Sequence, residues 1–247
     1  MNVNAAWQPS GCKHPEWKDH WEGLYAQKKP AQVSWYQSHP QHSVSLIGDT
    51  GIGTAASIID VGGGASTVVD HLLQAGYRDI TILDIARTAI ERAQQRLGDL
   101  SQQITWIERD ITDYSPGRTF DIWHDRAVFH YLTLDSDRDF YLKAMHSSLK
   151  PGGQVIIATF SDIGPSQCSG LEIMRYNPES LSLALGSALH LVETLTEEHR
   201  TPEGGLQQFV YCRFRHCLLY TSPSPRDGET HLVCRLLLEN GGGGGGG

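Results

Sequence analysis

Long apolar runs are missing from these 247 residues: no stretch of 18 consecutive apolar side chains occurs, so no membrane-spanning helix is expected. Runs of Lys and Arg are missing too. With 20 basic against 28 acidic residues and a formal charge of −8, no phosphate-binding face is available for DNA or RNA. The N-terminus has no basic segment leading into an apolar one, so export is not expected and the cytoplasm is the default. Cysteine is sparse, with no C-x-x-C pair, which excludes a zinc ribbon and a disulfide framework; no metal site is expected. No internal repeat is visible. What is present, 39% hydrophobic residues, suffices for a real core in one α/β domain, and a monomer is expected.

The composition shifts abruptly after His216. Cys217-Leu-Leu-Tyr-Thr-Ser-Pro-Ser-Pro-Arg-Asp227 matches, residue for residue, one reading frame of a transposase adapter used in sequencing libraries. After an index-length gap, the adapter's continuation translates to Leu232-Val-Cys-Arg-Leu-Leu-Leu238, and the terminal Gly241–Gly247 is what a run of spurious G calls would encode. Residues 217–247 are therefore expected to be a non-native tail and are set aside from the fold. The remainder carries 18 basic against 25 acidic residues and three scattered cysteines, Cys12, Cys168 and Cys212.

Residues 1–55 are polar and Trp-rich and read as an N-terminal cap, with a helix over Glu16–Gln27. From residue 56 short apolar runs alternate with amphipathic ones. Strands are expected at Ser57–Val61, Ile80–Asp84, Ile104–Ile107, Phe120–Trp123 and Gln154–Phe160, and helices at Val68–Ala75, Thr88–Leu97, Ser136–Leu149 and Pro178–Leu185. Alternation of this kind implies a parallel sheet covered on both faces. His190–Glu198 and Gln207–Phe214 are joined only by Thr201-Pro-Glu-Gly-Gly205, too short for a parallel crossover, so they form an antiparallel pair. The expected fold is α/β: a seven-stranded, mostly parallel Rossmann-like sheet over residues 56–216, with helices on both faces and a reversed strand near one edge.

In such a sheet ligands bind beyond the carboxyl ends of the strands. Asp60-Val-Gly-Gly-Gly-Ala-Ser66 lets backbone approach a ligand closely, with Gly62 and Gly64 at its centre. Asp84, followed by Ile85, ends the second strand, where a carboxylate can accept both ribose hydroxyls. Asp110-Ile111 ends the third, where the pair can take the adenine amino group and cover its ring. Trp123-His-Asp-Arg126 ends the fourth, beside the ligand's reactive end, which makes Asp125 and His124 the catalytic candidates and His124 and Arg126 cofactor neighbours. A helix is expected to follow, with Arg126 and His130 on one face. A dinucleotide loop would read G-x-G-x-x-G, but its third glycine is here Thr67, and the loop opens with an acid that suits an ammonium better than a pyrophosphate. This favours S-adenosylmethionine (SAM) over NAD.

On these residues, together with Leu149-Lys-Pro-Gly-Gly153, the chain resembles a class I SAM-dependent methyltransferase over residues 14–216. Within that superfamily it is most similar to the group that includes protein-lysine methyltransferases of elongation factor 1A and citrate synthase. That group has W-x-x-x-Y, a further Trp, and an acidic-basic-small run after the fourth strand, matched here by Trp21, Tyr25, Trp35 and Asp125-Arg126-Ala127. The resemblance implies that Trp21, Tyr25 and Trp35 help enclose SAM and that methyl transfer proceeds by direct in-line displacement. The acceptor, a protein lysine or a small molecule, stays open. A NAD(P)-dependent oxidoreductase and a non-catalytic SAM-fold binding module are the alternatives.

Overall fold

The computed structural model describes residues 12–217. One sheet holds β1 (Ser57–Val61), β2 (Asp79–Asp84), β3 (Ile104–Glu108), β4 (Phe120–Arg126), β5 (Leu149–Phe160), β6 (Leu189–Arg200) and β7 (Leu206–His216). Their order is β3-β2-β1-β4-β5-β7-β6. The first five strands run parallel, and β7 lies antiparallel to both β5 and β6. The reversed strand therefore lies second from the edge, as the five-residue connection requires.

Side-chain alternation distributes two cores. Ile58, Ile80, Ile82, Ile122 and Ile156 face α2 (Gln41–Gly48) and α3 (Val68–Gln74). Ile59, Trp123, Val155 and Ile157 face α5 (Asp135–Ser148) and α6 (Pro178–Leu185). Both faces of a strand such as β1 are buried end to end, which is why its sequence is a continuous apolar run broken only by Asp60. Helix α1 (Pro15–Gln27) starts with Pro at its first turn and packs on α4 (Arg87–Leu97), itself stopped by Gly98 at φ 57°.

Three expectations need correction. The segment before β1 contains α2, which buries Ser43, Leu46 and Ile47; a polar residue on its buried face and the lack of a side-chain cap at Pro40 leave no local signal for it. Strand β4 does not end at Trp123 but runs to Arg126, paired with β1 and β5. No α-helix follows it directly: Ala127 turns with φ 71° into a single 3₁₀ turn, Phe129–Tyr131, and α5 starts only at Asp135. Arg126 and His130 are thus not helix-mates. A small hairpin, Gln167–Cys168 with Leu171–Glu172, was also not anticipated.

Candidate functional site

Strand order reverses between β1 and β4, and there a cavity of about 310 Å³ opens beyond the carboxyl ends of β1 to β4. Its floor is the Asp60–Thr67 loop. Gly62 has φ 71°, and a Cβ there would sit 2.2 Å from a methyl of Val128, so no other residue fits this turn. Gly62 and Gly63 line the cavity. Gly64 stands behind the lining: its N–H donates to Asp84 Oδ2 at 2.9 Å, and a Cβ would clash with that carboxylate at 2.6 Å.

Asp84 is buried at the cavity wall, with Oδ1 accepting the Ala86 N–H at 2.8 Å. Burial pushes its carboxyl up to about 6 against the lowering effect of the Ala86 and Gly64 N–H bonds. Ile85 lies beside it on the lining. Asp110 Oδ1 accepts the N–H and hydroxyl of Thr112, at 2.9 and 2.8 Å, which fixes the carboxylate next to buried Ile111. Asp60, on β1, receives His124 Nδ1 on Oδ1 at 2.6 Å, while its buried Oδ2 has no protein partner.

The roof is aromatic. Trp17, Trp21 and Tyr25 recur every fourth residue on one face of α1 and line the cavity with Trp35. Trp21 meets Trp35 and Tyr131 edge-on, at ring separations of 5.8 and 5.1 Å. Desolvation, reinforced by the Asp84 charge, pushes the Tyr25 phenol far above its ordinary range, so it stays a neutral donor. Helix α1 is held down by polar contacts. Glu22 accepts the N–H groups of Arg87 and Thr88 at 2.7 and 3.0 Å, capping α4 where Ala86 has no side chain to do so, and Lys18 pairs with Glu108 at 2.5 Å.

The far wall comes from β4 and the last two strands. Arg126 donates to the Tyr211 hydroxyl at 2.8 Å and to the Trp35 carbonyl at 3.1 Å, and stacks over Phe209 at 4.3 Å. Tyr211 in turn donates to Glu197 at 2.7 Å, and Glu197 also takes the side chain of Gln37.

Of the sequence-predicted residues, the cavity gathers Trp21, Tyr25, Trp35, Asp60, Gly62, Asp84, Ile85, Asp110, Ile111, His124 and Arg126. Asp125 it does not. Because β4 continues past Trp123, alternation turns Asp125 to the face opposite His124. There its fully buried carboxylate accepts from Val128 N–H (2.8 Å), Phe129 N–H (3.0 Å) and Tyr141 hydroxyl (2.7 Å). It builds the turn after β4 and does not line the cavity, so no catalytic part is assigned to it. Trp17, Arg109, Tyr131, Cys168, Glu172 and Phe209 also line the cavity and were not anticipated. The fourfold Trp17-Trp21-Tyr25 spacing was legible; the others are brought in by tertiary structure and carry no local signal. Among the described residues no cluster of His, Cys, Asp and Glu could hold a metal ion, and no helix is long and apolar enough to cross a membrane.

Residues 59–155 match the family model described as a methyltransferase domain. The chain is 23% identical over 149 residues to the mouse (Mus musculus) "eEF1A lysine and N-terminal methyltransferase", covering 60% of this chain and 21% of that protein. It is 31% identical over 108 residues to the "Malonyl-[acyl-carrier protein] O-methyltransferase" of Anoxybacillus flavithermus, covering 43% of this chain and 39% of that protein. The chain thus spans well under half the length of these relatives. In fold it is similar to the N-methyltransferase NodS of Bradyrhizobium japonicum in complex with S-adenosyl-L-homocysteine (SAH), with a TM-score of 0.60, 21% identity, and 80% of this chain and 99% of that one covered. Over residues 59–155 the chain thus matches a methyltransferase domain, and its fold is similar to that of a methyltransferase solved with SAH.

Proposed function

We propose that the chain binds SAM in the β1–β4 cavity and transfers its methyl group directly to an acceptor nucleophile, a protein lysine or a small molecule. The observation that carries this reading is the row of three carboxylates, Asp60, Asp84 and Asp110, each at the end of a neighbouring strand and each fixed by its own hydrogen bonds around one cavity. Their spacing along the sheet edge suits an α-ammonium, a ribose diol and an adenine amino group in that order. The residues fit the cofactor: Asp60 presents an unpartnered buried oxygen, and the glycine turn leaves room for backbone contact. A pyrophosphate is disfavoured by the same Asp60, and Thr67, where a dinucleotide loop has its last glycine, instead donates to the Gln37 carbonyl at 2.7 Å.

In this reading Asp84 receives the ribose hydroxyls, Asp110 the adenine amino group, and Ile111 covers the ring. Trp21, Tyr25 and Trp35 close the roof and exclude water. The sulfonium of SAM supplies the activated methyl group. The chain's part is then to hold the acceptor in line with that methyl at near-attack distance, a proximity contribution that needs no covalent enzyme intermediate. An amine acceptor must arrive as, or become, the free base before attack. The relatives' names include a lysine and N-terminal methyltransferase and a malonyl-[acyl-carrier protein] O-methyltransferase, so neither a protein lysine nor a small molecule is favoured as acceptor.

The test is calorimetry with SAM, SAH and NAD, followed by incubation of labelled SAM with a cell lysate and mapping of the mass shift. Binding of SAM and SAH with label transferred to a discrete product supports the reading. Binding of NAD without SAM overturns it.

A further inference from the structure

Asp60 is joined to His124 and Ser43 in a buried chain, in which the reading above gives a part to Asp60 alone. In the parallel pairing of β1 with β4, Asp60 and His124 are direct partners. Both even-numbered side chains point to the α2 face, where Ser43 waits on that helix. His124 Nδ1 lies 2.6 Å from Asp60 Oδ1, and His124 Nε2 lies 2.9 Å from Ser43 Oγ. All three residues are 2% exposed or less. A serine hydroxyl donating to Nε2 leaves the imidazole hydrogen on Nδ1, facing the carboxylate. Ser43 is walled off in the core, so the chain is not a nucleophilic triad. Its outcome lies at the other oxygen. Asp60 Oδ2 is buried, has no protein partner and belongs to a residue on the cavity lining. Space for it is kept by Gly63, whose Cβ would lie 2.4 Å from that same atom.

We propose that His124, steadied by Ser43, is a positioning residue that turns Asp60 so that Oδ2 receives the α-ammonium of the cofactor. The proposal rests on the SAM reading of the cavity. His124 itself touches neither the methyl group nor the acceptor; it acts through Asp60. The loss of its bond frees the carboxylate to rotate and lowers affinity for any ligand that carries the amino-acid group, while the adenosine end is untouched.

The experiment compares SAH with 5′-methylthioadenosine, which keeps the adenosine and sulfur but lacks the amino acid. Calorimetry is run on the full chain and on His124→Asn, His124→Gln and Gly63→Ala variants. Asn places an N–H near the position of Nδ1 and keeps the bond to Asp60; Gln reaches toward Ser43 and loses it. The expected result is SAH affinity within about three-fold of the parent for His124→Asn and reduced about ten-fold, some 1.4 kcal/mol, for His124→Gln and Gly63→Ala. Methylthioadenosine affinity should be unchanged throughout. Equal losses for both ligands, or no loss of SAH affinity in His124→Gln, would overturn the proposal. Failure of the parent to bind SAH at all would instead overturn the cofactor reading.

Discussion

Asp84, proposed above to receive the ribose hydroxyls, is a buried carboxylate held in place before any ligand arrives. Two backbone N–H groups hold it, yet burial keeps it easily protonated, near 6. On the proposed role, replacement by Ala removes two charge-assisted bonds to the ribose, each worth about 1.5–3 kcal/mol when desolvated, so SAM affinity should fall at least ten-fold by calorimetry with the fold intact. The sign of the pH effect follows from the same group. The ionised form accepts hydroxyls and the protonated form has lost acceptor capacity, so affinity is full above pH 6 and declines as pH falls through that value. Titrations near pH 6 in buffers of different ionisation enthalpy should show protons released on binding; uptake would contradict it. Asp125 stands in contrast. Asp125→Ala strands three donors, two of them buried, and should cost about 2–4 kcal/mol, a drop of several degrees in Tm, while kcat of the folded enzyme changes little. A ten-fold fall in kcat at unchanged Tm would return it to the chemistry.

At the level of elements, β4 and α1 mark how far the sequence could be read. The end of β1 was legible because an apolar run stops at Asp60 and glycines follow. The end of β4 was not: His124-Asp125-Arg126 is polar and resembles a loop, and only pairing to β1 and β5 extends the strand through it. That three-residue difference decides which face each side chain takes, and so it separates His124 from Asp125. Helix α2 was hidden for a different reason: it buries a serine beside Leu46 and Ile47 and has no capping side chain, whereas α6, of the same length, opens with the Asn177 capping box. For α1 the relevant contact is Glu22 at the start of α4, a cap supplied from another helix that no local pattern reveals. Glu22→Ala should uncap α4 and loosen the helix carrying Trp17, Trp21 and Tyr25, costing about 0.5–2 kcal/mol and weakening SAM binding several-fold. A fall in Tm with unaltered SAM affinity would show that the roof holds without it.

For the molecule as a whole, the mostly parallel sheet and its reversed strand followed from element alternation and one short connection, whereas the strand order and the walls of the cavity depend on contacts between segments far apart in sequence. The tail from residue 217 onward is proposed to be foreign to the domain. Cys217 donates its backbone N–H to the Ala188 carbonyl, extending the last strand by one bond, and residues 218–247 lie outside the described part of the chain. A chain ending at Cys217 should match the 247-residue protein in Tm within about 1 °C and in SAM affinity within two-fold. A loss of several degrees would show that the removed segment packs against the domain.

The brace between Arg126, Tyr211 and Glu197 also sets an order of completion. Trp35 and Gln37, near the beginning of the chain, are fastened by Arg126 on β4 and by residues of the final hairpin: His199 reaches the Ser34 carbonyl at 2.7 Å, and Glu197 takes Gln37. On the ribosome the floor, with its glycine turn and three carboxylates, emerges early and can fold against β1 to β4. The wall around Trp35 must wait for β6 and β7, more than 150 residues further along the chain, because contacts of such sequence separation close late. A nascent chain halted before β6 would hold a half-built ligand site, open on one side. Completion of the site is thereby tied to the pairing of β6 and β7 with β5, long after its floor has left the ribosome.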